Sequence, residues 1–179
     1  MSLERRPLVP RSPARVVVYC DGGCRGNPGV GGWAALMLDT ETGRGRTLRG
    51  GEAHTTNNRM EMQGAIAALA ALHGGRRSVE IRTDSKYVAD MCEKWLAGWK
   101  RAGWRRKEGP IKNLEMVQQL DGLLQQHEVR FVWVKGHAGE PGNEYADDHT
   151  NRAMDLVQRG GDPSLDERHD PAPIGFRET

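Results

Sequence analysis

The chain has 179 residues, 37% of them hydrophobic and 28% charged, with a formal net charge of +2. These values suit one soluble globular domain with short tails, and so small a charge does not by itself argue for a nucleic-acid partner. No apolar run approaches the roughly 18 residues of a membrane span, and three cysteines without metal-type spacing fit a reduced, cytoplasmic protein.

Residues 1–14 read as a disordered arm. Arg5, Arg6, Arg11 and Arg15 give it a faint transit-peptide character, but Pro7, Pro10 and Pro13 break any amphipathic helix there. Val16-Val17-Val18-Tyr19-Cys20 is a short continuous apolar run, hence a buried central strand, with Asp21 just past its end. A Gly-rich loop to Gly32 follows. Trp33 to Leu38 is a second strand, and Thr47 to Gly51 a weak third at an edge, completing an antiparallel meander. Asn57 or Asn58 can cap a helix whose apolar residues (Met60, Ile66, Leu69, Leu72) keep helical spacing until Gly74-Gly75.

Val79 to Thr83 alternates as a fourth strand. Asp84-Ser85 then starts a helix through about Leu96, with Asp84 a plausible N-cap. Residues 113–126 repeat an apolar stripe, Val129 to Val134 is a fifth strand, and a last helix runs from Asn143 to about Val157. From 160 to 179, Gly, Pro and charge predict a disordered tail, leaving 15–159 as the folded domain. The element order implies an α/β fold. Its mixed five-stranded sheet has three antiparallel strands, then two parallel additions, with helices on both faces.

Four acidic residues stand in four separate segments: Asp21, Glu61, Asp84 and Asp147. A strand end is a rigid mount for a carboxylate. Carboxylates gathered in one place repel each other, a cost that hard divalent cations offset. That pattern points to metal-dependent phosphodiester chemistry.

The segments around them resemble type 1 ribonuclease H, the family that cleaves RNA in RNA–DNA hybrids, over residues 16–157. The motifs are Asp-Gly-Gly-Cys-x-Gly-Asn-Pro-Gly at 21–29, Thr-Thr-Asn-Asn-Arg-Met-Glu at 55–61 and Thr-Asp-Ser at 83–85. Trp-Val-Lys-Gly-His-Ala-Gly at 133–139 and Asn143-Glu144 before the pair Asp147-Asp148 complete the set. The resemblance implies a ribonuclease H-like fold. It also implies a quartet of Asp21, Glu61, Asp84 and Asp147 holding two Mg²⁺ ions, with Mn²⁺ as a substitute, and a His137 that moves protons on a flexible loop. Cleavage would leave 5′-phosphate and 3′-hydroxyl ends.

For the RNA strand, Gly22 and Gly23 permit close main-chain approach, and Asn27, Asn57 and Asn58 offer amides to the 2′-OH. For the DNA strand, the resemblance implies a phosphate pocket at Thr56 and Asn113, a contact at Lys86, and a basic protrusion with Trp95, Trp99, Lys100 and Arg101. Trp99 to Lys107 carries five cations and no acid. Three departures stand out: His54 replaces an Arg of the phosphate pocket, Lys86 replaces a familiar Gln, and Gly23 replaces a frequent Ser. The expected partner is an RNA–DNA hybrid, with no membrane, acted on by a monomer. Two alternatives are a DNA-nicking transposase or integrase on the same fold, which would lack the Asn-rich loop, and a silent hybrid-binding module, which an intact quartet argues against.

Overall fold

The apolar run at 16–20 forms the central strand, and that strand continues well past its apolar residues. In the computed structural model, which describes residues 15–175, β1 runs Val16–Arg25 and turns at 26–28 into β2, Gly29–Asp39. Asp21 pairs with Ala34, Gly22 with Trp33 and Gly23 with Gly32. Asp21 therefore lies inside the strand, and the supposed Gly-rich loop is the end of a hairpin. The apolar pattern missed this because these glycines lie extended beneath close neighbours: a Cβ at Gly22 would stand 2.3 Å from the Met60 carbonyl carbon, and one at Gly32 would stand 2.8 Å from the Thr150 oxygen. The predicted N-terminal arm at 1–14 lies outside the described residues, as do residues 176–179.

β3 (Gly45–Thr55) completes the meander; β4 (Ser78–Thr83) adds parallel to β1, and β5 (Glu128–Trp133) parallel to β4. A sixth strand, β6 (Leu165–His169), pairs antiparallel with β3, giving the order β5-β4-β1-β2-β3-β6. This corrects three expectations: the sheet has six strands, β3 is not an edge, and residues 165–169 are not disordered. Composition pointed the other way because polar contacts, not apolar burial, hold this strand. Arg46 forks onto Asp166 at 2.8 and 2.7 Å, Thr47 Oγ1 meets His169 Nε2 at 2.7 Å, and Arg49 Nε donates to the Pro163 carbonyl at 2.9 Å.

Helix α1 spans Asn57–Ala70. Its cap is Thr56, whose hydroxyl accepts from the Arg59 N–H at 3.4 Å, in place of Asn57 or Asn58. The helix expected to end near Leu96 runs on as α2 (Lys86–Asp90), a π-turn (Met91–Trp95) and α3 (Leu96–Arg101), into the basic stretch. Its cap is Ser85, which accepts from the Val88 N–H at 3.1 Å, so Asp84 is left out of capping. α4 is Leu114–Gln126 and α5 is Pro141–Gln158. Val16, Val18 and Cys20 pack under Met62, Ile66 and Leu69 of α1 and Val117 and Leu120 of α4, while Val17, Tyr19, Leu36 and Leu38 meet Ala146 of α5. Among the described residues, no helix is long and apolar enough to cross a membrane.

Ending the chain at residue 160 removes β6 with its forked ion pair and ladder bonds. Net hydrogen-bond contributions of about 1 kcal/mol each, larger for charged groups, sum to roughly 2–3 kcal/mol. The expected outcome is a Tm lower by about 5–10 °C, at roughly 2–4 °C per kcal/mol for a chain of this size. Thermal unfolding followed by circular dichroism measures it; an unchanged Tm would show that β6 adds nothing to the fold.

Candidate active site

Four elements deliver the four carboxylates. Asp21 sits within β1, Glu61 in α1, Asp84 on the link from β4 to α2, and Asp147 in α5. The side-chain-free Gly22 lets β1 touch the α1 backbone at Met60 and Glu61, which brings Glu61 toward Asp21. The Ser85 hydroxyl donates to Glu61 Oε2 at 2.6 Å while accepting from the Val88 N–H, so one hydroxyl both caps α2 and holds the Glu61 carboxylate. The Trp133 indole N–H donates to the Asp84 carbonyl at 3.0 Å. Gly136 lies so near Asp84 that a Cβ there would be 2.9 Å from its Oδ2. His137 follows on this loop, exposed and with φ 57°, a left-handed conformation that His adopts more readily than most residues.

Electrostatics tie the cluster together. Asp21 is only 6% exposed. Burial first, then the charges of Asp84 and Asp147, push its carboxyl up to about 8. Burial and Asp84 also raise Glu61, against the lowering effect of the Ser85 hydrogen bond. Thr150 Oγ1 is buried with no hydrogen-bond partner of ordinary length, yet lies close enough to ease the Asp21 charge. Among the described residues, no three His, Cys, Asp or Glu side chains already form a closed ion cage. The donor set nonetheless fits a hard cation: it is all carboxylate, its charge is uncompensated, and an orphaned hydroxyl stands beside it. Mg²⁺ is commonly held by one or two carboxylates with water and phosphate oxygens, and so needs no dedicated cage.

The other predicted residues fall into two groups. Asn27 and Asn57 meet, Asn27 Oδ1 accepting from the Asn57 N–H at 3.1 Å, beside the exposed Asn58 and the half-buried Gly22 and Gly23. Thr56 caps α1, and Asn113, at φ 56°, precedes α4. The Arg59 Nη1 donates to Asn113 Oδ1 at 3.3 Å, bringing a guanidinium to this pair while His54 stays exposed. On the protrusion, Tyr87, Trp95 and Trp99 form a row with ring centroids 5.8 and 6.0 Å apart. Lys86, Arg101, Arg105 and Lys107 are exposed. Lys100, also exposed, pairs with Asp121 at 3.2 Å, and Arg106 donates to the Gly109 and Pro110 carbonyls of its own loop. The sequence reading passed over Ser85, Arg59, Trp133 and Gly136 in these roles. Ser85 alone carried a signal, an N-cap type three residues before Val88.

The RNase H family model matches residues 13–155. The chain is 50% identical over 149 residues to the ribonuclease H of Maricaulis maris, covering 83% of this chain and 98% of that protein. It is 50% identical over 148 residues to the ribonuclease HI of Pseudomonas aeruginosa, covering 81% and 97%. Among solved structures it resembles LC9-RNase H1, described as a type 1 RNase H with the type 2 active-site motif, at a TM-score of 0.74 and 35% identity, covering 87% of this chain and 79% of that one.

The raised Asp21 carboxyl makes stability depend on pH. Between its ordinary value of 3.8 and about 8, the folded metal-free protein keeps a proton there that the unfolded chain has released. Its contribution is therefore full below pH 4, declines as pH rises and is gone above 8. With EDTA present, Tm is expected to fall between pH 6 and pH 9, and added Mg²⁺ to raise Tm more at pH 9 than at pH 6. Asp21→Asn should flatten both trends; an Asp21→Asn profile as steep as that of the parent chain would show that another group sets the slope.

Proposed function

The chain belongs to the ribonuclease H family of enzymes, and we propose that it is an endonuclease hydrolysing the RNA strand of RNA–DNA hybrids with two Mg²⁺ ions, leaving 5′-phosphate and 3′-hydroxyl ends. The observation that carries this reading is the coupled cluster of Asp21, Glu61, Asp84 and Asp147, in which burial and two neighbouring charges hold the Asp21 carboxyl near 8.

In this reading Asp21, Glu61, Asp84 and Asp147 hold the ions, with Mn²⁺ as a substitute. When bound, the pair lowers the pKa of the attacking water and neutralises the leaving 3′ oxygen. Ser85 keeps the Glu61 carboxylate turned toward the site, and the Trp133 and Gly136 contacts hold the Asp84 link. His137, exposed on a loop between two glycines, moves a proton at its imidazole nitrogens.

The RNA strand lies along the Gly22–Gly23 main chain and the Asn27, Asn57 and Asn58 amides, which address the 2′-OH as donor and acceptor. The DNA strand sets a phosphate at Thr56 and Asn113, where Arg59 supplies a guanidinium beside the position of His54. Lys86 and the aromatic row of Tyr87, Trp95 and Trp99 extend that path toward Arg101. A cavity of about 480 Å³ opens at the other end of the sheet around Val16, Arg46 and His169, and none of the four carboxylates lines it. All these residues come from one chain, so a monomer suffices.

Asp84→Asn removes a charge from the cluster while keeping its shape. It should abolish Mg²⁺-dependent cleavage of a labelled hybrid while leaving binding intact. His137→Ala should slow turnover by about 10²–10⁴-fold without abolishing it, the usual worth of one proton-transfer group. Near-normal turnover in the Asp84 variant defeats the assignment of the site. Incubation of the parent protein with hybrid, double-stranded RNA and double-stranded DNA separates this activity from that of a DNA-nicking enzyme.

The protrusion's cations divide by their contacts. Replacing Arg101, Arg105 and Lys107 together by Ala should weaken hybrid binding and reduce the slope of log K against log salt by about 0.9 for each lost phosphate contact. Lys100→Ala breaks an ion pair within the fold and should change the slope less. Fluorescence anisotropy at several salt concentrations decides it; equal slopes for the triple variant and the parent would leave the protrusion a solvated face.

A further inference from the structure

Directly behind the carboxylates lies a row of buried polar side chains that the proposed chemistry does not use. Strand alternation puts Tyr19 on the face of Asp21, and Arg82 and Glu80 on the face of Asp84. Tyr19 pairs in register with Arg82, and Glu80 with Arg130. Glu80 is 5% exposed and Arg82 3%. Arg130 Nε donates to Glu80 Oε1 at 2.9 Å, Arg82 Nε to Glu80 Oε2 at 2.8 Å, and Arg82 Nη1 to the Tyr19 hydroxyl at 2.6 Å. The Arg82 guanidinium also lies 5.3 Å from the centre of the Tyr19 ring.

The row ends under α5. A Cβ at Gly142, the second residue of that helix, would stand 2.5 Å from the Tyr19 ring, so the helix start rests directly on the ring face. Glu140 caps the same turn, accepting from the Asn143 N–H at 2.7 Å, and its carboxylate bears on the Tyr19 hydroxyl. Buried ion pairs are weak sources of stability, since apolar residues of equal volume often serve as well. Their gain is geometric: charge-assisted bonds hold a ring at one place and one angle.

We propose that the chain Arg130–Glu80–Arg82–Tyr19 is a positioning device for the first turn of α5, and through it for Asp147 and the His137 loop. Tyr19 and Arg82 touch no reacting atom in this scheme; they set the height of α5 on the sheet. The proposal rests on the assignment of Asp147 to the metal-holding quartet. Displacements of about 1 Å at a reacting centre cost on the order of 10²-fold in rate, so a small settling of α5 should be visible.

Two variants disturb the device from opposite sides. Tyr19→Phe keeps the ring and removes the hydroxyl that Arg82 holds; Gly142→Ala changes none of the row's side chains and forces the start of α5 and the Tyr19 ring apart. Each is expected to lower kcat on a defined hybrid by about tenfold or more with KM within twofold, and to weaken Mg²⁺ binding by calorimetry, while circular dichroism shows a folded protein. Arg82→Lys, which keeps charge but not the two-sided contact to Glu80 and Tyr19, should lower the rate in the same way. Folded variants with kcat and Mg²⁺ affinity within twofold of the parent overturn the device, whatever their Tm. Asp147→Asn is run beside them: if it cuts at the parent rate, the assignment of the quartet has failed, whereas an inert Asp147→Asn with fully active Tyr19→Phe and Gly142→Ala fails the device alone.

Discussion

Close approach of three backbones is the constraint on which the rest depends. The β1–β2 ribbon is bare of side chains at Gly22, Gly23, Gly31 and Gly32, and both α1 and α5 come down onto it there, one against Gly22 and the other against Gly32. Asp21 projects from the middle of that squeeze. Glu61 reaches it from one face and Asp147 from the other, with Asp84 from the link just after the neighbouring parallel strand β4. Any side chain at Gly22 would collide with α1 main chain, where nothing can give way cheaply. The glycines thus bring the acids together, and burial, then the charges of Asp84 and Asp147, raise the Asp21 carboxyl.

From that spacing follows a conflict between stability and chemistry. A carboxylate buried among others prefers its proton, as the raised Asp21 shows, so ionising the site works against the fold, a cost that a bound cation would offset under the proposed function. The surrounding contacts look arranged to keep the acids from relaxing apart. Ser85 ties Glu61 to the start of α2, Trp133 ties the Asp84 backbone to β5, and the Glu80–Arg82–Tyr19 row lies beneath both strands that carry acids. The Trp133 and Tyr19 ties act on the mounts, while the Ser85 bond takes one oxygen of Glu61 and leaves the other available.

Much of this was legible in the residues alone. The order of strands and helices, the parallel additions and the four acidic segments all follow from apolar periodicity and motif spacing. Misreadings cluster where periodicity carries no information. β1 outlasts its apolar run because glycine can lie extended under a helix without a hydrophobic signature. Thr56 displaced Asn57 and Asn58 as a cap because three adjacent residues of capping type differ only in where the backbone turns helical. β6 is held by Asp166, His169 and a ladder along β3, so its composition resembles that of a free tail. Ser85, Arg59 and Trp133 act through contacts between distant segments, to which a linear pattern is blind.

The basic stretch shows the same limit from the side of charge. Five cations in nine residues suggest a uniform phosphate-binding strip. In the fold, Lys100 pairs at the surface with Asp121 and Arg106 closes its own loop, while Trp104, at φ 64°, packs against the core and bonds through its backbone N–H to the Trp99 carbonyl at 2.7 Å. Part of the charge therefore builds the platform, and the exposed Arg101, Arg105 and Lys107 are what the platform presents. The aromatic row obeys a similar division: Trp99 packs into the core and Trp95 stands exposed beside it. Under the proposed function, this half-buried ladder with charge at its rim would serve a nucleic-acid backbone, because it offers planes and cations without asking for any particular base.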